Sequence, residues 1–329
     1  MFACTLLLAG CSGQAEQVVI NGVTMGTTYE VKIAPGKAKI PNDLSSRVQQ
    51  ALDQLDSRFT TYSPGSELEQ LNRGEVMQDI SVSAEMLEVL QVADRVYQLT
   101  GGAFDPTVGP LVNLWGFGPD PSSSEIPPKE TIRRQLARVG LDKLVVNTDG
   151  NSVRRTADIQ LDLSAVAKGF AVDAVAELLE SMGIANYLVE VGGELRLRGT
   201  KAEQQPWRIA IESPSLERHA VQQAMNPGDA AVATSGDYRN YFEKDGKRYS
   251  HTIDPRTGYP VSHHLASVTV VADTTAFADA LATGLMVMGH EAALALAEKN
   301  DLAVYLLVKE NDGCKAYSSP AFGRYLSGE

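Results

Sequence analysis

The sequence predicts an α+β fold: one compact domain, with a division into two lobes left open, in which mixed or antiparallel sheets carry packed helices. Three observations predict it. Strand-type runs come in groups, with helices between groups rather than after every strand, which is not the pattern of a regular βαβ array. Apolar residues recur at helical spacing in several separate segments. The 329 residues are 43% hydrophobic and 21% charged, an ordinary globular balance in a chain long enough to bury a large core. No internal repeat or long low-complexity linker divides the chain.

Taken in order, residues 1–10 are almost wholly apolar but far shorter than the roughly 20 residues that span a bilayer, so they read as the end of a signal peptide. The small residues Ala9 and Gly10 directly before Cys11 resemble the lipobox of bacterial lipoproteins, in which the cysteine becomes the acylated first residue. An ordinary signal peptide that happens to contain Cys11 is the alternative. No Lys or Arg precedes the run, so the true translation start is expected upstream. Residues 11–17 form a polar tether, and 18–329 the folded domain.

Residues 18–33 are rich in β-branched side chains, with Gly22 and Gly26 as turn signals, and predict a hairpin. Leu44, Val48, Ala51, Leu52, Leu55 and Phe59 share one helical face over 42–59, with Asn42 as cap. A second helix is expected over 83–99. Residues 119–128, with four prolines and three serines, form a loop. A third helix over 131–139 stops at Gly140. Strands follow at 144–147, 152–155 and 159–163, then a helix over 165–182 closed by Gly183. Further strands are expected at 187–191, 194–198, 208–211, 231–234 and 267–271. A helix over 275–288 and a buried strand at 302–308 complete the list.

The net charge of −12 argues against nucleic acid as partner, because backbone phosphates are bound by Lys and Arg. Of three cysteines only Cys314 lies in the domain, so no disulfide framework holds it together. There is no Walker lysine loop, no zinc pattern and no Gly-x-Ser-x-Gly elbow. His219, His263, His264 and His290 are expected at the surface.

Four stretches carry chemistry. The first is Met25-Gly26-Thr27-Thr28-Tyr29 and the second Gly101-Gly102-Ala103-Phe104-Asp105-Pro106-Thr107. The third runs from Asp162 through Ala165 to Lys168 and Gly169. The fourth is residues 251–258, followed by Ala278-Asp279-Ala280-Leu281-Ala282-Thr283. A strand ending at Asp162 before a helix leaves free backbone groups at the junction. Lys168 falls in the first helical turn, where the helix dipole disfavours a cation. A nearby anion such as a phosphate and a plain solvated lysine both satisfy the residues alone. Asp279 and Thr283, four apart on a helix, present their oxygens on one side, which suits a hard cation such as Mg²⁺. An Asp interacting with its own helix dipole is the alternative. His251 stands beside a turn sequence, Asp254-Pro255-Arg256-Thr257-Gly258, and its near-neutral titration suits a general base or a packing residue equally. Glu190-Val191-Gly192-Gly193-Glu194 reads as a tight turn that permits close ligand approach, a weak signal by itself.

Together and in this order, these stretches closely resemble the FAD:protein FMN transferases, the ApbE flavin transferases, from about residue 25 to 307. The resemblance implies an α+β enzyme that cleaves FAD and transfers FMN to a protein hydroxyl, releasing AMP. It places FAD contacts at Met25, at Tyr62 of Thr61-Tyr62-Ser63-Pro64, and at Ala103, Phe104 and Asp105. Asp162, Lys168 and the Ile253 backbone complete that set. It places Mg²⁺ on the Ala165 carbonyl, Asp279 and Thr283. It further implies acceptor subunits of membrane electron-transport complexes, met at the periplasmic face by an enzyme anchored through Cys11. The inner membrane is expected for that role, while Ser12 is compatible with the outer. Two other outcomes use the same residues: a Mg²⁺-dependent FAD pyrophosphatase, with water as acceptor, and a flavin-binding lipoprotein without chemistry. The second has no need of Asp279 and Thr283 together.

Overall fold

The computed structural model describes residues 17–34, 36, 38–119, 125–213, 221–237, 241–310 and 313–326. The expected signal peptide, Cys11, most of the tether, His219 and the middle of the proline-rich loop lie outside these residues.

The hairpin is β1 (Val18–Thr24) and β2 (Thr27–Ile33). Its turn is Met25-Gly26, both left-handed at φ 47° and 71°, the geometry that matches strand twist; Gly22 lies within β1 rather than at a turn. Helix α1 (Leu44–Phe59) buries Leu44, Val48, Leu52, Leu55 and Phe59 along one stripe. Asp43, not Asn42, stands at its N-cap, and the Asp43 carboxylate pairs with Arg47 instead of capping. Then come α2 (Glu67–Arg73), β3 (Asp79–Ser81) and α3 (Ala84–Thr100), the last two helices capped by Ser66 and Ser83 hydroxyls. Helices α4 (Gly109–Leu114) and α5 (Lys129–Leu136) lead to β4 (Leu144–Asn147) and β5 (Ser152–Arg155), and β5 pairs with both β4 and β3.

The strand expected at 159–163 does not form. Only Gln160 makes a bridge, to Val108. The Asn72 side chain takes the place of a neighbouring strand: Leu161 N–H donates to its Oδ1, and its Nδ2 donates to the Leu161 carbonyl. A side chain that satisfies both backbone groups removes the need for a ladder.

Helix α6 (Ser164–Ser181) precedes β6 (Tyr187–Val191) and β7 (Glu194–Arg198). β8 (Ile209–Glu212) and β9 (Val221–Met225) form a ribbon, and β10 (Ala231–Gly236) returns to the main sheet. Two short hairpins follow, β11 (Tyr241–Lys244) with β12 (Lys247–Ser250), and β13 (Ile253–Asp254) with β14 (Tyr259–Pro260). The chain ends through β15 (Leu265–Ala272), α7 (Thr275–Met288), α8 (His290–Lys299), β16 (Ala303–Glu310) and β17 (Gly313–Ser318).

Eight strands form one antiparallel sheet in the order β1-β2-β6-β7-β10-β15-β16-β17. β15 is buried on both faces, as its run of Leu, Val, Thr and Ala demands. One face of the sheet packs on α6 and α7, with α1 and α3 outside them; the largest core cluster lies there. The other face is sealed by Trp207, Ile211, Met225 and Phe322. A third cluster gathers α4, α5 and the short hairpins around buried Trp115, whose indole N–H donates to the Gly258 carbonyl.

Helix α7 is buried over nearly its whole circumference, which makes it a core helix rather than a surface one. Its start is fixed from α6: Thr275 and Ala276 N–H both donate to the buried Asp173 carboxylate, which also accepts from Arg196 on β7. α6 and α7 cross at Gly169, where a Cβ would lie 2.4 Å from the Thr275 carbonyl oxygen. His263, expected at the surface, tucks both ring nitrogens out of solvent beside the end of α7, and burial lowers its pKa.

Candidate active site

A cavity of about 650 Å³ opens where the β6–β7 turn, the start of α6, the end of β10 and the middle of α7 meet. That volume lies within the range of pockets that take small molecules. Tyr62, Ala103, Phe104, Asp105, Asp162, Ala165, Lys168, His251, Ile253, Asp279 and Thr283 all line it. Residues spread over some 220 positions of sequence therefore converge on one wall system. Met25 does not line it. It sits half-buried at the tip of the β1–β2 hairpin, and the neighbouring Thr27 touches the β6–β7 turn that does.

The centre of the site is ionic. Gly192 and Gly193 take left-handed conformations (φ 62° and 104°), and Gly193 N–H donates to Glu190. This turn delivers Glu194 to the start of β7. A Cβ on Gly192 would press within 3.4 Å of the Lys168 stem, so glycine lets the lysine lie against the turn. Lys168 Nζ donates to Glu194 Oε1 at 2.6 Å and stands 3.6 Å from Asp279 Oδ1. Asp279 Oδ2 accepts Gly169 N–H at 3.0 Å, which ties α7 to α6. One turn further along α7, the Thr283 hydroxyl bonds Ser235 at 2.9 Å. α6 begins at Ser164, so Lys168 falls in the second helical turn and not the first, and the two carboxylates account for its place.

Burial works against the charge on Lys168, but Asp279 and Glu194 together outweigh it and raise its pKa. Glu194 is pushed up to about 7, chiefly by burial and then by the Asp279 charge, against the pull of Lys168. When both carboxylates are ionised, they outnumber the one ammonium and leave a surplus of negative charge. Glu194 Oε2, moreover, is buried without a hydrogen-bond partner among the described residues. An all-oxygen set with surplus negative charge fits a hard divalent cation.

The remaining lining residues divide by role. Burial pushes the Asp105 carboxyl up, and its oxygen accepts from Thr107 N–H and hydroxyl at 2.8 and 2.6 Å, so the carboxylate shapes its own loop. Asp162 Oδ1 accepts Ser164 N–H at the mouth of α6. Tyr62 stands at the rim, 73% exposed. His251 lies half-buried against the Phe117 ring. Asp254 accepts from Arg256 backbone and guanidinium, so that pair is turn structure. Sequence reasoning missed Glu194 as a partner of Lys168 and missed Ser235. The double glycine before Glu194 was its only signal; a lone serine on a strand gives none.

An ion triad of Lys168, Glu194 and Asp279 lining a substrate-sized cavity defines an enzyme-type site. The chain belongs to the ApbE family, whose sequence pattern matches residues 25–306. It is 47% identical over 328 residues to a FAD:protein FMN transferase of Vibrio cholerae, covering 99% of this chain and 97% of that one. Among solved structures, the flavin transferase ApbE from Vibrio cholerae superposes with a TM-score of 0.88 at 44% identity, covering 94% of this chain and 99% of that one. The Pseudomonas stutzeri flavinyl transferase ApbE, in its apo form, gives 0.88 at 39% identity, covering 95% and 98%.

Proposed function

We propose that this chain transfers FMN from FAD to a Ser or Thr hydroxyl of acceptor proteins, with Mg²⁺ as cofactor, releasing AMP. The observation that carries the reading is Lys168, Asp279 and Thr283 converging on one cavity in a member of the ApbE family. Asp279, Thr283 and the Ala165 carbonyl would hold the cation. Bound there, Mg²⁺ supplies neutralisation of charge on the FAD pyrophosphate. Lys168 brings a second positive charge to the same phosphates. This offsets the repulsion between an anionic substrate and a chain of net charge −12.

The acceptor oxygen bonds to the phosphorus on the FMN side. The bond from that phosphorus to the bridging oxygen breaks, AMP keeps the electron pair, and His251 takes the hydroxyl proton. Tyr62, Ala103, Phe104 and Ile253 form the wall against which the flavin nucleotide is oriented.

The acceptors in this reading are subunits of membrane electron-transport complexes. The enzyme meets them at the periplasmic face, anchored through acylated Cys11. The small residues before Cys11 support that placement.

Incubation with FAD, Mg²⁺ and an FMN-accepting domain, read by intact-protein mass, tests the reaction. A gain on the acceptor equal to bound FMN, lost with EDTA, is expected. Free FMN and AMP with an unlabelled acceptor would make the chain a pyrophosphatase; intact FAD would make it a carrier. His251→Ala is expected to slow labelling by about 10²- to 10⁴-fold, the range for losing a general base. FAD affinity should stay within threefold or so, because the base acts on the acceptor. Labelling at the full rate removes His251 from the proton transfer.

A further inference from the structure

The two oxygens of Asp279 have different fates. Oδ2 accepts Gly169 N–H, so Oδ1 is the oxygen left for a cation, and it is Oδ1 that Lys168 approaches, at 3.6 Å. The lysine is seated elsewhere, 2.6 Å from Glu194 Oε1. Glu194 is 4% exposed, and its Oε2 has no hydrogen-bond partner among the described residues. The ammonium therefore leans over the position that the cation would take, while held by a carboxylate assigned no role in the proposed reaction.

We propose that Lys168, seated on Glu194, stands in for the divalent cation at Asp279 until the phosphates of the substrate draw it aside, and that Glu194 is its positioning residue. This rests on Asp279, Thr283 and the Ala165 carbonyl being the cation site. Two positive charges do not share one carboxylate oxygen cheaply at such range in a buried setting. A pyrophosphate supplies the negative charge that lets both stay. Substrate and cation then bind cooperatively, each raising the affinity for the other by the same factor. Glu194 keeps the ammonium in the site while Asp279 turns to the cation.

Mn²⁺ titrated into the full chain and read by its electron-spin signal tests this, with FAD present and absent. The wild-type chain should bind Mn²⁺ at least about tenfold more tightly with FAD than without. Without FAD, Lys168→Met should bind Mn²⁺ at least about tenfold more tightly than wild type. Lys168→Gln, which retains donors for both carboxylates, serves where the methionine variant fails to fold, and the same gain is expected. Glu194→Gln keeps an acceptor but removes the charge that holds the lysine, leaving Asp279 its only anionic partner, and should weaken flavin-free Mn²⁺ binding by about threefold or more. The same change made in Lys168→Met should alter it by less than that. Lysine variants that bind Mn²⁺ no tighter than wild type overturn the proposal. So does a Glu194→Gln effect of equal size in both backgrounds, which would make Glu194 a direct ligand. Mn²⁺ that ignores the wild-type chain even with FAD, or binds Asp279→Ala equally well, overturns the cation site itself and the proposal with it.

Discussion

Asp279→Asn should lower acceptor labelling by about 10³-fold or more, the largest loss expected of any isosteric change in this protein. Asparagine keeps the volume and keeps an oxygen to accept Gly169 N–H, so the α6–α7 contact survives. What it loses is the charge. With Lys168 and Glu194 unchanged, the surplus of negative charge that suits a cation disappears, and an amide NH2, a donor that cannot ligate a cation, takes the place of Oδ1. Raising Mg²⁺ should restore only a small part of the rate. Thermal melting should move little, because the buried neighbours keep their partners: Lys168 retains Glu194 at 2.6 Å. Labelling rate and melting temperature measured together decide the matter. Near-normal labelling in chelated buffer rejects the metal role. A rate loss matched by a collapse in melting temperature assigns the effect to the fold instead.

That such a site was partly legible before the structure follows from which of its bonds are local. Asp279 and Thr283 lie one turn apart on a helix whose apolar pattern is unbroken, so periodicity alone put both oxygens on one face. The β1–β2 hairpin, α1, α3, α6 and β15 were readable for the same reason, since each repeats one spacing over many residues. The partner of Lys168 was not readable. Its ion pairs run from α6 to β7, 26 residues on, and to α7, 111 residues on, and no local period links them. The helix at α8 was hidden by its neighbour: Gly289, at φ 79°, ends α7 and turns the chain at once into a second helix, a junction with no loop to announce it. The short hairpins β11–β12 and β13–β14 pair over four and two residues, too few for alternation to register. The false strand at 159–163 failed because its backbone was satisfied by Asn72, 89 residues away along the chain.

Gly169→Ala is the second large effect, and its sign has to be argued because two terms oppose. Within a helix, alanine is favoured over glycine by about 1 kcal/mol. Against this, the new Cβ would lie 2.4 Å from the Thr275 carbonyl oxygen, 2.6 Å from its carbon and 2.8 Å from Ala276 Cα. All three are backbone atoms, so no side chain can swing away; the helices must part by roughly 1 Å to restore ordinary contact at 3.4 Å or more. Overpacking of this kind costs about 1–3 kcal/mol, and contact with backbone belongs at the upper end. Separation is resisted by Asp173, which binds the first two N–H groups of α7 from α6. The net expectation is a loss of about 1–2 kcal/mol, seen as a fall of a few degrees in melting temperature. Activity should fall much further, because the parting helices carry Lys168 on one side and Asp279 on the other. A misplacement of about 1 Å between such groups costs on the order of 10²-fold. Gly323→Ala, where nothing lies within 4 Å of the added carbon, is the control and should leave both quantities unchanged. A Gly169→Ala protein that melts higher than wild type and labels at the wild-type rate would mean that helix propensity outweighs the crossing. The close approach of α6 and α7 would then not be what sets the distance between lysine and carboxylate.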